Sequence, residues 1–260
     1  MSGQELLLKE RQSVISDRLL TSGRVLAAEL AEEFGVSEDT IRRDLREMAA
    51  AGLCERVYGG ALPVSSARGN LKQRMAVAPD RKAVLARAAI TQIAPGSTVF
   101  FDAGSTNLAV AAALPDDIAL TAVTNAPMIA AALLDRPEIE VILIGGRIDR
   151  QASAAVGSRA MRDMELLSPD LCILGACGVD LDAGVTTFGF EDAEFKRLAA
   201  SRSRRILIAA TAEKFGTAAP YAVVPAERCD ILIVESQSDE PLLEAYRKRG
   251  CHVVVASDVN

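Results

Sequence analysis

Histidine is almost missing from this chain: one residue in 260, His252, placed just before the apolar run "VVVA". A serine triad and a multi-histidine metal site both need imidazoles that are not there, and His252 reads as a strand-end residue. The five cysteines, Cys54, Cys172, Cys177, Cys229 and Cys251, form no C-x-x-C pair. Neither a zinc site nor a disulfide framework follows, and free buried thiols in a reducing compartment are the simple reading. The apolar runs, such as "VILIGG" and "ILIVES", fall far short of the roughly 20 residues that span a bilayer. The opening "MSGQELLLKERQ" lacks the apolar stretch and cleavage site of a signal peptide. The expectation is therefore a cytoplasmic protein with no membrane partner. Basic charge is in deficit too, with a net charge of −6, so the chain as a whole has no attraction for a polyanion.

What is present is a real core. Half of the residues are hydrophobic and a quarter charged, as in a soluble globular protein, and the length allows one large domain or two modest ones. The texture divides the chain. From Leu6 to about Leu53 the apolar period is helical: Leu8, Ile15 and Leu19 form one stripe before Gly23, and Ala27, Leu30, Ala31 and Phe34 a second before Gly35. Ser37 then offers an N-cap to a third helix, with Glu38 and Asp39 in its first turn and Gly52 beyond its end. "CERVYGGAL" follows as a small hairpin turning at Gly59-Gly60. These elements set a first domain at residues 1–62. Residues 63–79, polar and without firm period, read as a linker.

Residues 80–260 alternate strand and helix. Candidate strands are "TVFFD", "ALTAVT", "VILIGG", "LCILGA", "RILIAA", "ILIVE" and "HVVVA", separated in part by alanine-rich helical stretches such as "RKAVLARAAITQIA" and "NLAVAAAL". Near-continuous apolar strands between helices predict a mostly parallel sheet covered on both faces.

On the third helix Ile41, Leu45 and Met48 share a narrow sector, which must be buried, and Arg42, Arg43, Arg46 and Asp39 take the opposite arc. A helix, a tight glycine-containing turn and a helix with a basic outer face make a helix-turn-helix arrangement. Guanidinium groups can fork to guanine or pair with phosphate. Acids outnumber bases across residues 1–60, so any nucleic-acid footprint is local: Arg42, Arg43, Arg46 and Arg56, extended by Lys72, Arg74 and Lys82. The same spacing also fits a solvated face, with Arg43 paired to Glu47 and Arg42 to Asp39.

In the second half, "TVFFD" runs through "AGSTN" into a helix. Gly104 lets the backbone turn closely, and Ser105 and Thr106 bring hydroxyls beside free helix N–H groups, a natural anion site. The G-x-G-x-x-G fingerprint is absent there. Thr124 and Asn125, then Gly145, Gly146 and Arg147, also end apolar strands, where ligands bind in open α/β sheets. These loops are expected to converge on one crevice, although each alone fits ordinary turn chemistry.

The run "LAEEFGVSEDTIRRDLREMAAAGLCERVYGGA" strongly resembles the winged helix-turn-helix of DeoR-type bacterial regulators, with its V-S-x-x-T-I-R-R-D-L segment and closing R-V-x-G-G-A. The resemblance implies that Ser37, Thr40, Arg42, Arg43 and Arg46 lie at DNA and that residues 54–62 form the wing; Tyr58 stands where relatives commonly carry histidine. "DAGSTN", "TNA", "IGGR" and "EKFG" resemble landmarks of the DeoR-type effector domain, so the likeness covers nearly the whole chain. That domain is similar in fold to ribose-phosphate isomerase and glucosamine-phosphate deaminase. It implies a phosphorylated sugar or related metabolite, with its phosphate on the Asp102–Asn107 loop. Gly178, Asp180, Glu191, Asp192 and Lys196 match, less closely, a stretch that holds acid-base residues in the isomerases. Lys214 sits in "TAEKFG", where Thr211 replaces an acid and Glu213 a serine of the family's common pattern.

Two function classes result. In the first, the chain is a homo-oligomeric repressor of sugar catabolism that binds double-stranded operator DNA, needs no cofactor and responds to a sugar phosphate. In the second, Asp102, Asp180, Glu191 and Lys196 shuttle protons in an isomerase- or deaminase-like enzyme. A DNA-reading module fused to such a pocket fits a sensor better than a catalyst, because fold does not settle chemistry.

Overall fold

The computed structural model describes residues 7–22, 24–51, 53–62 and 70–257. Gly23, Gly52 and the linker residues 63–69 lie outside the described residues. The N-terminal part is built from α1 (Leu8–Ser22), β1 (Val25–Leu26), α2 (Ala27–Phe34), α3 (Glu38–Ala50), β2 (Glu55–Val57) and β3 (Gly60–Leu62), and the strands form one small sheet in the order β1-β3-β2. Gly35 ends α2 in the left-handed region (φ 64°) with its N–H directed at the Ala31 and Glu32 carbonyls, a conformation that a side chain would strain. Ser37 caps α3 by accepting from the Thr40 N–H at 3.2 Å. Ile15, Leu19, Leu30, Ile41, Leu45, Met48 and Cys54 close one apolar cluster, whereas Leu8 is exposed. Inside it lies an ion pair that hydrophobic period does not reveal: Arg11 forks to both oxygens of buried Asp44, at 2.7 and 3.2 Å, and fixes α1 against α3.

The expected linker contains a helix. Residues Leu71–Ala76 form α4, closed by a capping box between Asn70 and Gln73, and α5 (Pro79–Ile90) follows directly. The remaining elements are β4 (Thr98–Phe101), α6 (Ser105–Ala112), β5 (Leu120–Thr124), α7 (Pro127–Leu133), β6 (Ile139–Leu143), β7 (Arg147–Asp149), β8 (Ala154–Val156) and α8 (Ser158–Glu165). Then come β9 (Leu171–Ile173), β10 (Gly178–Asp180), β11 (Gly184–Thr187), α9 (Phe190–Arg202), β12 (Arg205–Ala209), β13 (Tyr221–Val224), β14 (Ile231–Glu235), α10 (Glu240–Lys248) and β15 (His252–Ala256).

The seven strands anticipated from apolar runs make a single parallel sheet in the order β15-β14-β12-β9-β4-β5-β6. Their alternation feeds two cores. Val99, Phe101, Leu171, Ile173 and Leu207 face α5, α6 and α7, while Phe100, Cys172, Ile206 and Ile208 face α8, α9 and α10. His252 is the exposed first residue of β15, as expected of a strand end. Two antiparallel additions were not foreseen: the β7–β8 hairpin and the sheet β10-β11-β13. The order of the large sheet reverses between β4 and β9, and in open α/β folds a crevice opens at that reversal.

Candidate functional site

In the N-terminal part, α3 presents Arg42, Arg43 and Arg46 as exposed side chains opposite its buried Ile41, Asp44, Leu45 and Met48. Arg42 is held by Glu38 at 2.6 Å and Asp39 at 3.6 Å. Arg43 and Arg46 carry no ion pair among the described residues; Glu47, the alternative partner of Arg43, instead accepts from Gln12 at 3.4 Å. Ser37 and Thr40 share a hydroxyl contact of 2.9 Å at the start of the helix. Arg56 and Tyr58 project from the wing, with Tyr58 77% exposed. The basic residues of α3 and the wing are thus exposed, although the chain is acidic overall. Lys72 is exposed on α4, but Arg74 and Lys82 do not belong to this surface.

Arg74 and Lys82 instead line a cavity at the β4/β9 reversal. Its wall takes Gly104, Ser105, Thr106 and Asn107 from the end of β4 and start of α6, Gly175–Cys177 from beyond β9, and Thr211, Glu213 and Lys214 from beyond β12. Asp149, Gln151 and Ala152 of the β7–β8 turn, with Thr187, Phe188, Asp192 and Lys196, complete it. α6 begins at Gly104 without a side-chain cap, so its first N–H groups present their positive end to the cavity. Asn107 donates to the Asp102 and Ile173 carbonyls at 2.8 and 3.0 Å, tying the β4 loop to β9. A Cβ on Gly175 would stand 2.5 Å from the Ala103 carbonyl oxygen, so this position accepts no side chain.

The floor is ionic. Lys196 is hydrogen-bonded to Asp102 and lies 3.6 Å from Asp192, which also accepts from Thr187 Oγ1 at 2.7 Å. Burial opposes the charge on Lys196, but Asp102 and Asp192 outweigh it and hold its pKa above the ordinary lysine value. The rim is cationic. Lys82 donates to the Arg74 and Val77 carbonyls, and burial, then the nearby Lys214, push its pKa down to about 8. Lys214 donates to the Ala176 carbonyl at 2.7 Å, and burial lowers its pKa as well. Glu213 accepts from Thr211 at 2.6 Å and from Arg81 at 2.7 Å, and Arg81 also grips Glu235. The two residues that depart from the family's common pattern around Lys214 thus belong to one bonded network.

Three polar atoms in this wall are buried with no hydrogen-bond partner among the described residues: Thr106 Oγ1, Asp192 Oδ1 and Arg74 Nε. Buried polar groups are nearly always satisfied, so a water or a ligand in the cavity would complete the bonding of these three.

Several expected residues lie elsewhere. Asp102 is fully buried behind Lys196 and its Oδ2 accepts from the Gly175 N–H at 2.7 Å. Thr124 donates to the Phe101 carbonyl and Asn125 to the Ala155 carbonyl, both outside the wall. Gly145, Gly146 and Arg147 are exposed, with Arg147 paired to Glu191 across the surface. Asp180 accepts two N–H groups of its own β10–β11 turn. The reason is topological: β5 and β6 lie on the far side of β4 from β9, so the loops that converge are those of β4, β9 and β12. Gly175, directly after the apolar "LCIL", was the readable signal for the second of these loops.

A model of the DeoR-like helix-turn-helix domain matches residues 11–67, and one of the DeoR C terminal sensor domain matches residues 77–236. The HTH-type transcriptional regulator GlpR of Haloferax volcanii is 33% identical over 96% of this chain and 98% of its own. The glycerol-3-phosphate regulon repressor of Escherichia coli is 35% identical over 80% of this chain and 82% of its own. Among solved structures, ribose 5-phosphate isomerase A from Neisseria gonorrhoeae aligns over 52% of this chain and 53% of its own at 17% identity and a TM-score of 0.39, too low to carry any argument. The sensor and helix-turn-helix matches, with relatives that span almost the whole chain, show that this chain belongs to the DeoR family of DNA-binding transcriptional regulators.

Proposed function

We propose that this regulator represses genes of sugar catabolism and that a phosphorylated sugar in the β4/β9 cavity modulates its hold on the operator. The observation that carries the reading is the pairing of two chemistries in one cavity. An uncapped helix N-terminus and the cations Arg74, Lys82 and Lys214 suit a phosphate. The Thr106 hydroxyl and the Asp192 Oδ1, which lack a hydrogen bond among the described residues, suit sugar hydroxyls. The name of the E. coli relative, a glycerol-3-phosphate regulon repressor, supports a phosphorylated effector. An isomerase-like reading is not favoured: Asp180 and Glu191, two of its four acid-base candidates, are engaged outside the cavity.

Ser37, Thr40, Arg42, Arg43, Arg46, Arg56 and Tyr58 face the operator in this account, and the chain works as a homo-oligomer so that two or more helices meet successive half-sites. The direct test is ligand-induced thermal stabilisation. Phosphorylated three- to six-carbon sugars should raise the melting temperature, increasingly with the logarithm of their concentration above the dissociation constant, and their unphosphorylated counterparts should not. Stabilisation by the free sugars alone would reject the phosphate site.

A further inference from the structure

The cavity wall and the wing are joined by one short stretch of chain. Thr211, Glu213 and Lys214 line the cavity. A residue further on, the Phe215 carbonyl accepts from the guanidinium of Arg24, whose Nη1 also reaches the Ala212 carbonyl at 3.4 Å. Three residues beyond that, the Ala218 carbonyl accepts from the Tyr58 N–H at the wing tip at 2.7 Å, an antiparallel bridge between the two halves of the protein. Arg24 directly precedes β1, which pairs with β3 of the wing. A second contact runs in parallel: Phe188, another cavity residue, packs against Val57 and Leu62 beneath the wing.

Resting on the reading of the cavity as an anion sensor, we infer that segment 211–218 and Phe188 form the joint through which occupancy is reported to the wing, and that Arg24 is a positioning residue for it. In the structure Lys214 is held by the Ala176 carbonyl, and the Thr217 hydroxyl donates to the Lys214 carbonyl at 2.8 Å. An anion that draws the Lys214 ammonium away moves the turn Ala212–Lys214. The carbonyls displaced with it are those that hold Arg24. The Tyr58 amide follows, because from Lys214 to Ala218 the chain spans at most about 14 Å. The wing shares its apolar cluster with α3, since Cys54 and Ala61 pack with Ile41, Leu45 and Met48. A moved wing therefore re-aims the recognition helix. The effect on operator affinity can be no larger than the difference in anion affinity between the two wing positions, and by linkage the operator acts back on the anion equally.

The test uses the full chain and inorganic phosphate as the probe. Hydrogen exchange without DNA should show phosphate altering protection at residues 104–107 and, with it, at residues 57–59. Operator binding is then measured with and without phosphate. The ratio of the two affinities should approach 1 in Arg24→Ala, while phosphate still protects residues 104–107; Arg24→Lys, which keeps a donor, should restore part of the ratio. If Arg24 merely stabilised the fold, operator affinity would fall alike in both conditions and leave the ratio unchanged. A response at 104–107 with an unresponsive wing, or an unchanged ratio in Arg24→Ala, overturns the joint and leaves the anion site standing. No response at 104–107 removes the anion site and the joint with it.

Discussion

Replacing Lys196 by methionine removes the cation between Asp102 and Asp192, and the structure sets the size of the effect. The three side chains are 4%, 0% and 8% exposed, so two carboxylates are left without their counter-charge in a dry site. Breaking a buried pair in this way costs about 3–5 kcal/mol. Asp102 has an escape, because burial favours its neutral form. Taking up a proton at pH 7, about three units above the ordinary aspartate pKa, costs about 4 kcal/mol, and this caps the loss. At pH 5 the same proton costs only about 1.5 kcal/mol. The sign follows from proton counting. The folded variant binds one proton more than its unfolded chain across this range, so its stability rises as pH falls. In the wild type burial also raises the Asp102 pKa, but Lys196 opposes the shift, so its dependence on pH is the smaller of the two. Urea unfolding followed by far-ultraviolet circular dichroism at pH 5, 6 and 7 measures the difference. Lys196→Met combined with Asp102→Asn, which leaves the Gly175 N–H an acceptor, should recover most of the loss and abolish the pH slope. A loss that is independent of pH, or unrelieved in the double variant, would refute the assignment of a charged pair.

Three other outcomes follow from the same geometry. Thr106→Val should leave stability unchanged or slightly improved, because the hydroxyl has no protein partner, and should weaken sugar-phosphate binding about tenfold, the value of one hydrogen bond; isothermal titration and a melting curve separate the two. Phosphate affinity should fall as pH rises through about 8, where Lys82 loses its charge; titration at pH 7, 8 and 9 checks the direction, and a constant affinity would exclude Lys82 from the site. Arg43→Ala should cost about 1–3 kcal/mol and relax specificity at one base pair if the guanidinium forks to guanine, or weaken all sequences evenly with a shallower salt dependence if it contacts phosphate. Fluorescence anisotropy against a panel of operator variants at two salt concentrations distinguishes them, and wild-type values throughout would take Arg43 off the interface.

The large sheet was legible because a parallel strand buried on both faces must be apolar throughout, and each of its runs, from "TVFF" to "HVVVA", announces itself. The buried stripe of α3 and its Ser37 cap were legible for the same kind of reason, since period and capping are local. The hairpin strands were hidden by mixed polarity: β7 is largely exposed, with Arg147, Ile148 and Asp149 in succession. α4 was hidden by its length of six residues, too short to show a period. The β4 loop, anticipated from Gly104, Ser105 and Thr106, lies in the cavity wall. Its partners were misplaced because strand order in space differs from order in the chain, and no local pattern says that β9 rather than β5 continues the crevice. The same blindness put Arg74 and Lys82 with the DNA contacts: charge can be counted in a sequence, but the side to which a residue turns depends on packing many positions away.

The account stands on one claim, that a DNA-reading head and a sugar-phosphate cavity act on each other. The most direct measurement is recovery of fragments of the host genome by the purified full chain at moderate salt, with and without a pool of sugar phosphates. The account predicts that one or a few sites are enriched and that the pool changes their recovery. Enrichment that the pool leaves untouched, or no enriched site in either condition, would contradict it.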